Sequence, residues 1–476
     1  MQKIIIKNFG AIEYAEIEIK KVLVLIGEQA SGKSTIAKLI YFFKSLKDYL
    51  LSKDQLKTSD SLDIFSNFVF LIQERFYDFF GSTLHIPNFE ITYYYSLEKN
   101  KFINLVLDDE KKINASLSNN FFNENIEKSI NQIKKLLEED LSDEDLNSYA
   151  PNIGIIRYIQ RLSTILNQSL ESVFETSQTD LFFVIASRNV TVSYSNQFNM
   201  RLFAGIQNTL EKNNQKSSNN KQQITDDILM IEFIEKCEII KNIFEKFDNF
   251  DGLINRYVED EAKKHHLINI MEKVYKILKG RYCIDSDGEK IVLDRQSTVS
   301  KKYVYLHNAS SGQKESIRIL QDIFLNIINN RIILRIIEEP EAHLFPVAQK
   351  NLIELLAVMV NQNADNQLII TTHSPYILSV FNNLLFAKRV VEKNPSAKSE
   401  VSEIISEDYW LNAAEFAAYA LGNQFLDEEA NYCESIFDSN TGMIAQNYLD
   451  TVSEMLGGDF NELYQIHART FLCSRI

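Results

Sequence analysis

A short stretch near the N-terminus has the residue types and spacing to hold a phosphate. Gly27-Glu28-Gln29-Ala30-Ser31-Gly32-Lys33-Ser34, followed by Thr35, sets four residues between a glycine and a Gly-Lys-Ser triplet. Successive backbone N–H groups of such a loop curl around the phosphates of a nucleotide, with a helix N-terminus behind them. In that arrangement Lys33 reaches the β- and γ-phosphates and the Ser34 hydroxyl lies on Mg²⁺, so ATP and Mg²⁺ are the expected cofactors.

A second set of reactive side chains lies far downstream. The apolar run Ile332-Ile333-Leu334-Arg335-Ile336-Ile337 is broken only by Arg335 and ends in Glu338-Glu339-Pro340-Glu341. Two acids at a strand tip beside phosphates suit metal coordination and general-base duty. Glu338 would hold the metal through water, and Glu339 would polarise the attacking water. His373, in Thr371-Thr372-His373-Ser374-Pro375 after the strand Leu368-Ile369-Ile370, can bond the γ-phosphate or hold that water. Ser310-Ser311-Gly312-Gln313, ahead of these acids, opens a helical pattern through Ile317, Leu320, Phe324 and Ile327. Small residues before a helix leave its first N–H groups open to an anion.

These residues need particular elements to position them. A strand over Val22–Ile26 feeds the phosphate loop, and apolar residues at Ile36, Leu39, Ile40 and Phe43 predict a helix leaving it. Residues 1–50 thus read strand, strand, strand, loop, helix. Residues 51–87 read as mostly helical, ending near Pro87. Glu90–Leu97 and Phe102–Leu107 form a hairpin. Ile126, Ile130, Ile133 and Leu137 recur at helical spacing, Leu181–Ala186 reads as a buried strand, and Asn213–Gln223 as a polar loop. Ile228–Phe247 and Leu253–Lys279 read as long helices, the second capped at Gly280. The Asp285-Ser286-Asp287-Gly288 turn joins two short strands. The tail contains Trp410, a Tyr/Ala-rich run at Phe416–Leu421, and helical spacing over Tyr448–Leu456. The domains expected are 1–108, an N-terminal head lobe; 109–280, a mainly helical insertion; 281–400, the rest of the head; and 401–476, a cap or docking segment.

Composition narrows the function. A chain of 476 residues can bury one large core or two moderate ones. A net charge of −15 argues against a protein that coats nucleic acid, which needs clustered Lys and Arg. No apolar run approaches the roughly 18–20 residues of a membrane span, no signal-peptide pattern opens the chain, and the four scattered cysteines lack metal-ligand spacing. A cytoplasmic protein without a membrane partner is expected.

Taken in order, the motifs resemble the ABC-type ATPase heads of the SMC, RecF and OLD group. Gly27–Ser34 looks like their Walker A, Ser310–Gln313 like their signature, Ile336-Ile337-Glu338-Glu339 like their Walker B, and Thr372-His373-Ser374 like their H-loop. The match departs at Ala309, where Leu is usual; at Ser311, where transporters have Gly; and at Glu338, where Asp is common. Gln73 and Gln178 are candidates for the Q-loop. The resemblance implies an α/β fold, an ABC-type P-loop head with a mixed sheet and flanking helices, carrying a helical insertion lobe. It also implies slow, regulatory ATP hydrolysis in a homodimer or higher oligomer, with the signature of one chain completing the site of another.

Glu338-Glu339-Pro340-Glu341-Ala342-His343-Leu344, followed by a proline, is similar to ATPase components of anti-phage systems such as PARIS, Septu and retron-linked ones. Val184-Ile185-Ala186-Ser187-Arg188 also resembles a strand and turn of these proteins. This resemblance implies a sensor or scaffold that controls a separate effector, a nuclease or toxin, with DNA or a phage protein as the trigger. The alternative is a repair or recombination ATPase that clamps DNA. No Toprim domain is expected after His373, and Asp285-Ser286-Asp287 reads as a hairpin turn.

Overall fold

The computed structural model describes residues 1–52, 68–122, 164–165, 167–177, 180–189, 192, 225–293, 302–422, 431–445 and 458–465. Two sheets organise the chain around the phosphate loop. The first is antiparallel, in the order β2-β1-β4-β5-β6, with β1 Gln2–Phe9, β2 Ile12–Ile19, β4 Glu90–Ser96, β5 Lys101–Leu107 and β6 Ile113–Leu117. Burial alternates along β4 and β5, as expected of strands with one face on the core.

The second sheet carries the site. Its order is β14-β13-β3-β12-β11-β7, with β3 Val22–Gly27, β7 Asp180–Val184, β11 Ile333–Glu338, β12 Gln367–Thr372, β13 Phe416–Leu421 and β14 Cys433–Ser435. Five of its strands run parallel, and β14 is antiparallel. Every residue of β3 and β11 is buried, which explains their continuous apolar runs, since parallel strands are covered on both faces. The parallel register brings the C-terminal ends of β3, β11 and β12 to one edge.

Helix α1, Lys33–Ser52, packs on β3, β11 and β12. It also joins the two sheets. Phe43 stacks on Tyr93 of β4 with ring centroids 4.8 Å apart, and the Tyr95 hydroxyl donates to the Phe43 carbonyl at 2.7 Å. Phe42 and Phe9 meet Phe76 of α2, Phe68–Phe80, edge to face.

The helices that follow β7 are α3 Thr225–Glu245, α4 Phe250–Tyr257 and α5 Glu261–Leu278. A small sheet of β8 Arg281–Asp285, β9 Gly288–Val292 and β10 Tyr303–Tyr305 leads to α6 Ser311–Asn329. Helix α7, Pro346–Asn361, packs against α5, α6 and α8, Pro375–Lys393. Other described elements include α9 Lys398–Ile404 and the short pair β15 Phe437–Asp438 and β16 Met443–Ile444. Among the described residues no helix is long and apolar enough to cross a membrane.

Arg335 breaks the apolar run of β11 and is fully buried. Its guanidinium donates to both carboxylate oxygens of Asp322 on α6, at 2.6 and 3.0 Å, and to Asp180 of β7 at 3.2 Å. A charge in the core survives only when it is paired in this way.

Several sequence expectations need correction. The helix expected to end near Pro87 ends at Phe80. The helix read over Leu253–Lys279 is two. Asp260 caps the second, accepting from Ala262 and Lys263 N–H, and Lys279 at φ 53° ends it in place of Gly280. Phe416–Leu421, within the stretch read as a cap or docking segment, is a strand of the central sheet hydrogen-bonded to β3. Asp285-Ser286-Asp287 forms the hairpin turn expected of it, with the Asp287 N–H donating to Asp285. The helical spacing at Ile126–Leu137, the Asn213–Gln223 loop, Gln178 and Tyr448–Leu456 lie outside the described residues.

Candidate nucleotide-binding site

The phosphate loop leaves β3 at Gly27, and close packing dictates that residue. A Cβ there would lie 2.4 Å from the Leu421 carbonyl oxygen of β13 and 2.7 Å from Ser31 Oγ. The loop turns through Ala30 at φ 63° and Gly32 at φ 81° and enters α1 at Lys33. Tyr432, just before β14, donates its hydroxyl to the Ser31 carbonyl at 3.0 Å. The end of β13 and the residue preceding β14 thus brace the loop.

Lys33 is buried, and its Nζ donates to the carbonyls of Gly27 at 2.8 Å and Glu28 at 2.6 Å, and to Ser31 Oγ at 3.4 Å. Burial lowers the Lys33 pKa to about 8, against the pull of the Glu339, Glu341 and Glu28 carboxylates. A cleft of about 220 Å³ opens over the loop. It is lined by Gln29 to Thr35, with Ala11, Glu339 and His373.

The acids at the end of β11 differ in environment. Glu338 is buried, and its Oε2 accepts from the Ala186 N–H at 3.1 Å. Its Oε1 is buried with no hydrogen-bond partner among the described residues. Burial raises its pKa, opposed by Lys38, Ser34 and the Ala186 N–H. Glu339 adopts a left-handed conformation at φ 43°, which costs a non-glycine residue backbone strain. Its N–H donates to the Thr371 carbonyl at 2.9 Å, and its Oε1 lies 3.1 Å from His373 Nε2. That hydrogen bond is the largest influence lowering the Glu339 pKa. Neighbouring carboxyls pushed in opposite directions suit different duties.

Glu341 and Arg188 hold this edge together. Glu341 Oε1 accepts from the Thr372 hydroxyl at 2.7 Å and the His373 N–H at 2.8 Å, fixing the end of β12 to the turn after β11. Arg188, in the turn after β7, donates to the carbonyls of Glu338 at 2.8 Å and Glu339 at 2.9 Å.

The structure therefore gathers Lys33, Ser34, Glu338, Glu339 and His373 at one sheet edge. Ser310–Gln313 do not line the cleft. They open α6 as a capping box, in which Ser310 Oγ accepts from the Gln313 N–H and Gln313 Oε1 from the Ser310 N–H. Gln313 Nε2 donates to the Leu278 carbonyl at 2.6 Å, and Ser310 and Ser311 are exposed. Gln73 is away from the cleft; its amide donates to the Ile113 carbonyl at 2.8 Å. Sequence reasoning assigned no role to Arg188, Glu341 or Tyr432. Arg188 and Glu341 stood inside stretches that carried the resemblance, Val184–Arg188 and Glu338–Leu344, whereas Tyr432 had no such signal.

The family model described as an AAA ATPase domain matches residues 1–378. The chain belongs to this family. It is an ATPase, and the cleft over Gly27–Ser34 is its candidate nucleotide site. Solved structures similar to this AAA ATPase include an SMC head bound to the C-terminal winged-helix domain of ScpA, with a TM-score of 0.34 and 11% identity over 79% of this chain and 90% of that one. The SMC head domain from Thermotoga maritima has a TM-score of 0.31 and 11% identity over 79% and 90%. An SMC head with an extended coiled coil, bound to a C-terminal domain of ScpA from Pyrococcus furiosus, has a TM-score of 0.31 and 11% identity over 80% and 92%. No curated protein matches the AAA ATPase chain.

Proposed function

We propose that this AAA ATPase is an ATP-gated switch whose heads assemble through composite sites. One observation carries the reading: the cleft that gathers Lys33, Glu339 and His373 takes no lining from Ser310–Gln313. They form a helix start, an element that can bind anions, with Ser310 and Ser311 exposed, where they would meet the nucleotide of a second copy. ATP would join two heads, and hydrolysis would part them.

Within each head, Lys33 holds the β- and γ-phosphates with the loop N–H groups. Glu339, kept ionised by His373, takes a proton from the attacking water, and His373 steadies the γ-phosphate. The residues present fit Mg²⁺, because the Glu338 Oε1 is buried with no hydrogen-bond partner among the described residues and Ser34 is among the groups that lower the pKa of the same carboxylate. Ser34 and Glu338 would hold the ion, which neutralises charge on the phosphates when bound.

Complementation tests the composite site. Lys33→Ala chains and Ser310→Arg chains are each expected to be inactive, and mixing them is expected to restore part of the activity. A fully active monomer, together with no rescue on mixing, would sink the reading.

The biological setting follows from the resemblance of Glu338–Leu344 to anti-phage ATPases: a sensor or scaffold that restrains a separate nuclease or toxin until a phage cue arrives. Affinity purification with and without ATP, followed by phage challenge of cells carrying Glu339→Gln, tests it. Absence of any co-purifying effector and of any phage phenotype would reject it.

A further inference from the structure

Arg188 is 1% exposed, and its guanidinium spans three elements. Nη1 donates to the carbonyls of Ile185 at 3.2 Å and Glu338 at 2.8 Å, and Nη2 to that of Glu339 at 2.9 Å. Nε donates to the Glu315 carbonyl at 3.1 Å and lies 3.2 Å from the Glu315 carboxylate. Glu315 is itself 2% exposed and stands near the N-terminal end of α6.

Two features set this arrangement apart from an ordinary buried ion pair. First, two of the carbonyls belong to the acids at the nucleotide cleft. Arg188 holds the carbonyl of Glu339, whose backbone is left-handed and whose N–H is held by Thr371. That strained pose persists because contacts on both sides fix it. Second, the ionic partner sits on the helix that starts with Ser310–Gln313. The same helix start also touches the acid turn directly, because a Cβ on Gly312 would lie 2.6 Å from the His343 carbonyl oxygen. A displacement at the start of α6 therefore reaches Glu339 through Arg188. A planar guanidinium can bridge these oxygens at fixed angles, and a lysine ammonium cannot reproduce that fork.

We infer that Arg188 is a positioning residue that ties the backbone of Glu339 to the start of α6. A second copy's nucleotide seated on Ser310–Gln313 thereby sets the catalytic pose of Glu339 in this chain. The inference rests on the composite-site reading and names the contact through which that site is regulated.

The test is steady-state ATP hydrolysis by full-length wild type, Arg188→Ala, Arg188→Lys, Glu315→Gln and Glu339→Gln, with ATP-binding titrations and thermal unfolding on the same samples. Arg188→Ala is expected to lose at least about tenfold in kcat while KM stays within about twofold, the pattern of an interaction needed in the transition state. Arg188→Lys is expected to lose most of the same activity although it keeps the charge. Added methylguanidinium is expected to restore part of the kcat of Arg188→Ala and to leave wild type unchanged, a response that a packing defect would not give. A folded Arg188→Lys with wild-type kcat overturns the inference, as does a loss carried by KM alone or an absence of methylguanidinium rescue. If Arg188→Ala does not fold, Arg188→Lys and Glu315→Gln decide by the same kcat and KM criterion. Glu339→Gln separates the two levels. If it turns over like wild type, the assignment of Glu339 as base fails; if it is inactive while the Arg188 variants match wild type, only the role of Arg188 fails; failure of the Lys33→Ala and Ser310→Arg mixture to regain activity would instead reject the composite site on which the inference rests.

Discussion

His373 Nε2 lies 3.1 Å from Glu339 Oε1, and the backbone N–H of the same histidine donates to Glu341 at 2.8 Å. One residue at the tip of β12 thus engages two acids of the turn after β11, in register across neighbouring parallel strands.

This pairing predicts a pH effect. The His373 hydrogen bond holds the Glu339 pKa below its ordinary 4.5. A depressed carboxyl pKa keeps the charged base present to lower pH, so activity on the acid side is lost only as pH falls through the lowered value. In His373→Ala the acid limb of the kcat profile is expected to move to higher pH. Glu339→Gln, lacking the base, is expected to lose about 10²-fold or more in kcat while still binding ATP. Phosphate-release assays across pH and nucleotide titrations check both.

Lys33 gives the alkaline side. Its pKa is lowered to about 8, so the protonated amine that meets phosphate is lost as pH rises through that value. ATP affinity is expected to hold near pH 7 and to weaken by up to roughly tenfold per unit well above pH 8, with proton uptake on binding. Calorimetry in buffers of different ionisation enthalpy measures that uptake.

The hydroxyl of Tyr432 on the Ser31 carbonyl predicts a binding defect from outside the matched span. Tyr432→Phe removes one hydrogen bond, worth about 1 kcal/mol, so ATP Kd is expected to rise roughly fivefold with kcat little changed. A nucleotide titration beside steady-state kinetics decides it.

Asp322→Ala would strand the buried Arg335 guanidinium with only part of its partner set. Breaking a buried pair in this way costs about 3–5 kcal/mol. Denaturant unfolding is expected to show that loss, and the double variant Asp322→Ala with Arg335→Met is expected to recover part of it.

Legibility followed the range of the interactions. Gly27–Ser34 could be read directly because a strand, a glycine loop and a helix start are neighbours in sequence, and each leaves a local pattern. The same holds for the Ser310–Gln313 capping box and for the strands ending at Glu338 and Thr372. Arg335 was visible as a break in an apolar run, yet its partner Asp180 lies 155 residues away. The split between α4 and α5 was missed because apolar spacing continues across Val258–Asp260, and the Asp260 cap carries the boundary.

The sequence by itself singled out the candidate residues for phosphate, metal and proton, because those duties depend on side-chain chemistry and short spacing. Tertiary structure alone decided how they are held. Parallel pairing of β13 with β3 brings Leu421 beside Gly27, and Tyr432 reaches Ser31 across 401 residues. Arg188 fastens the acids at the end of β11 to the start of α6, with Glu315 127 residues further along the chain. Contacts of that range are set by sheet order and packing, which leave no periodic mark in the chain.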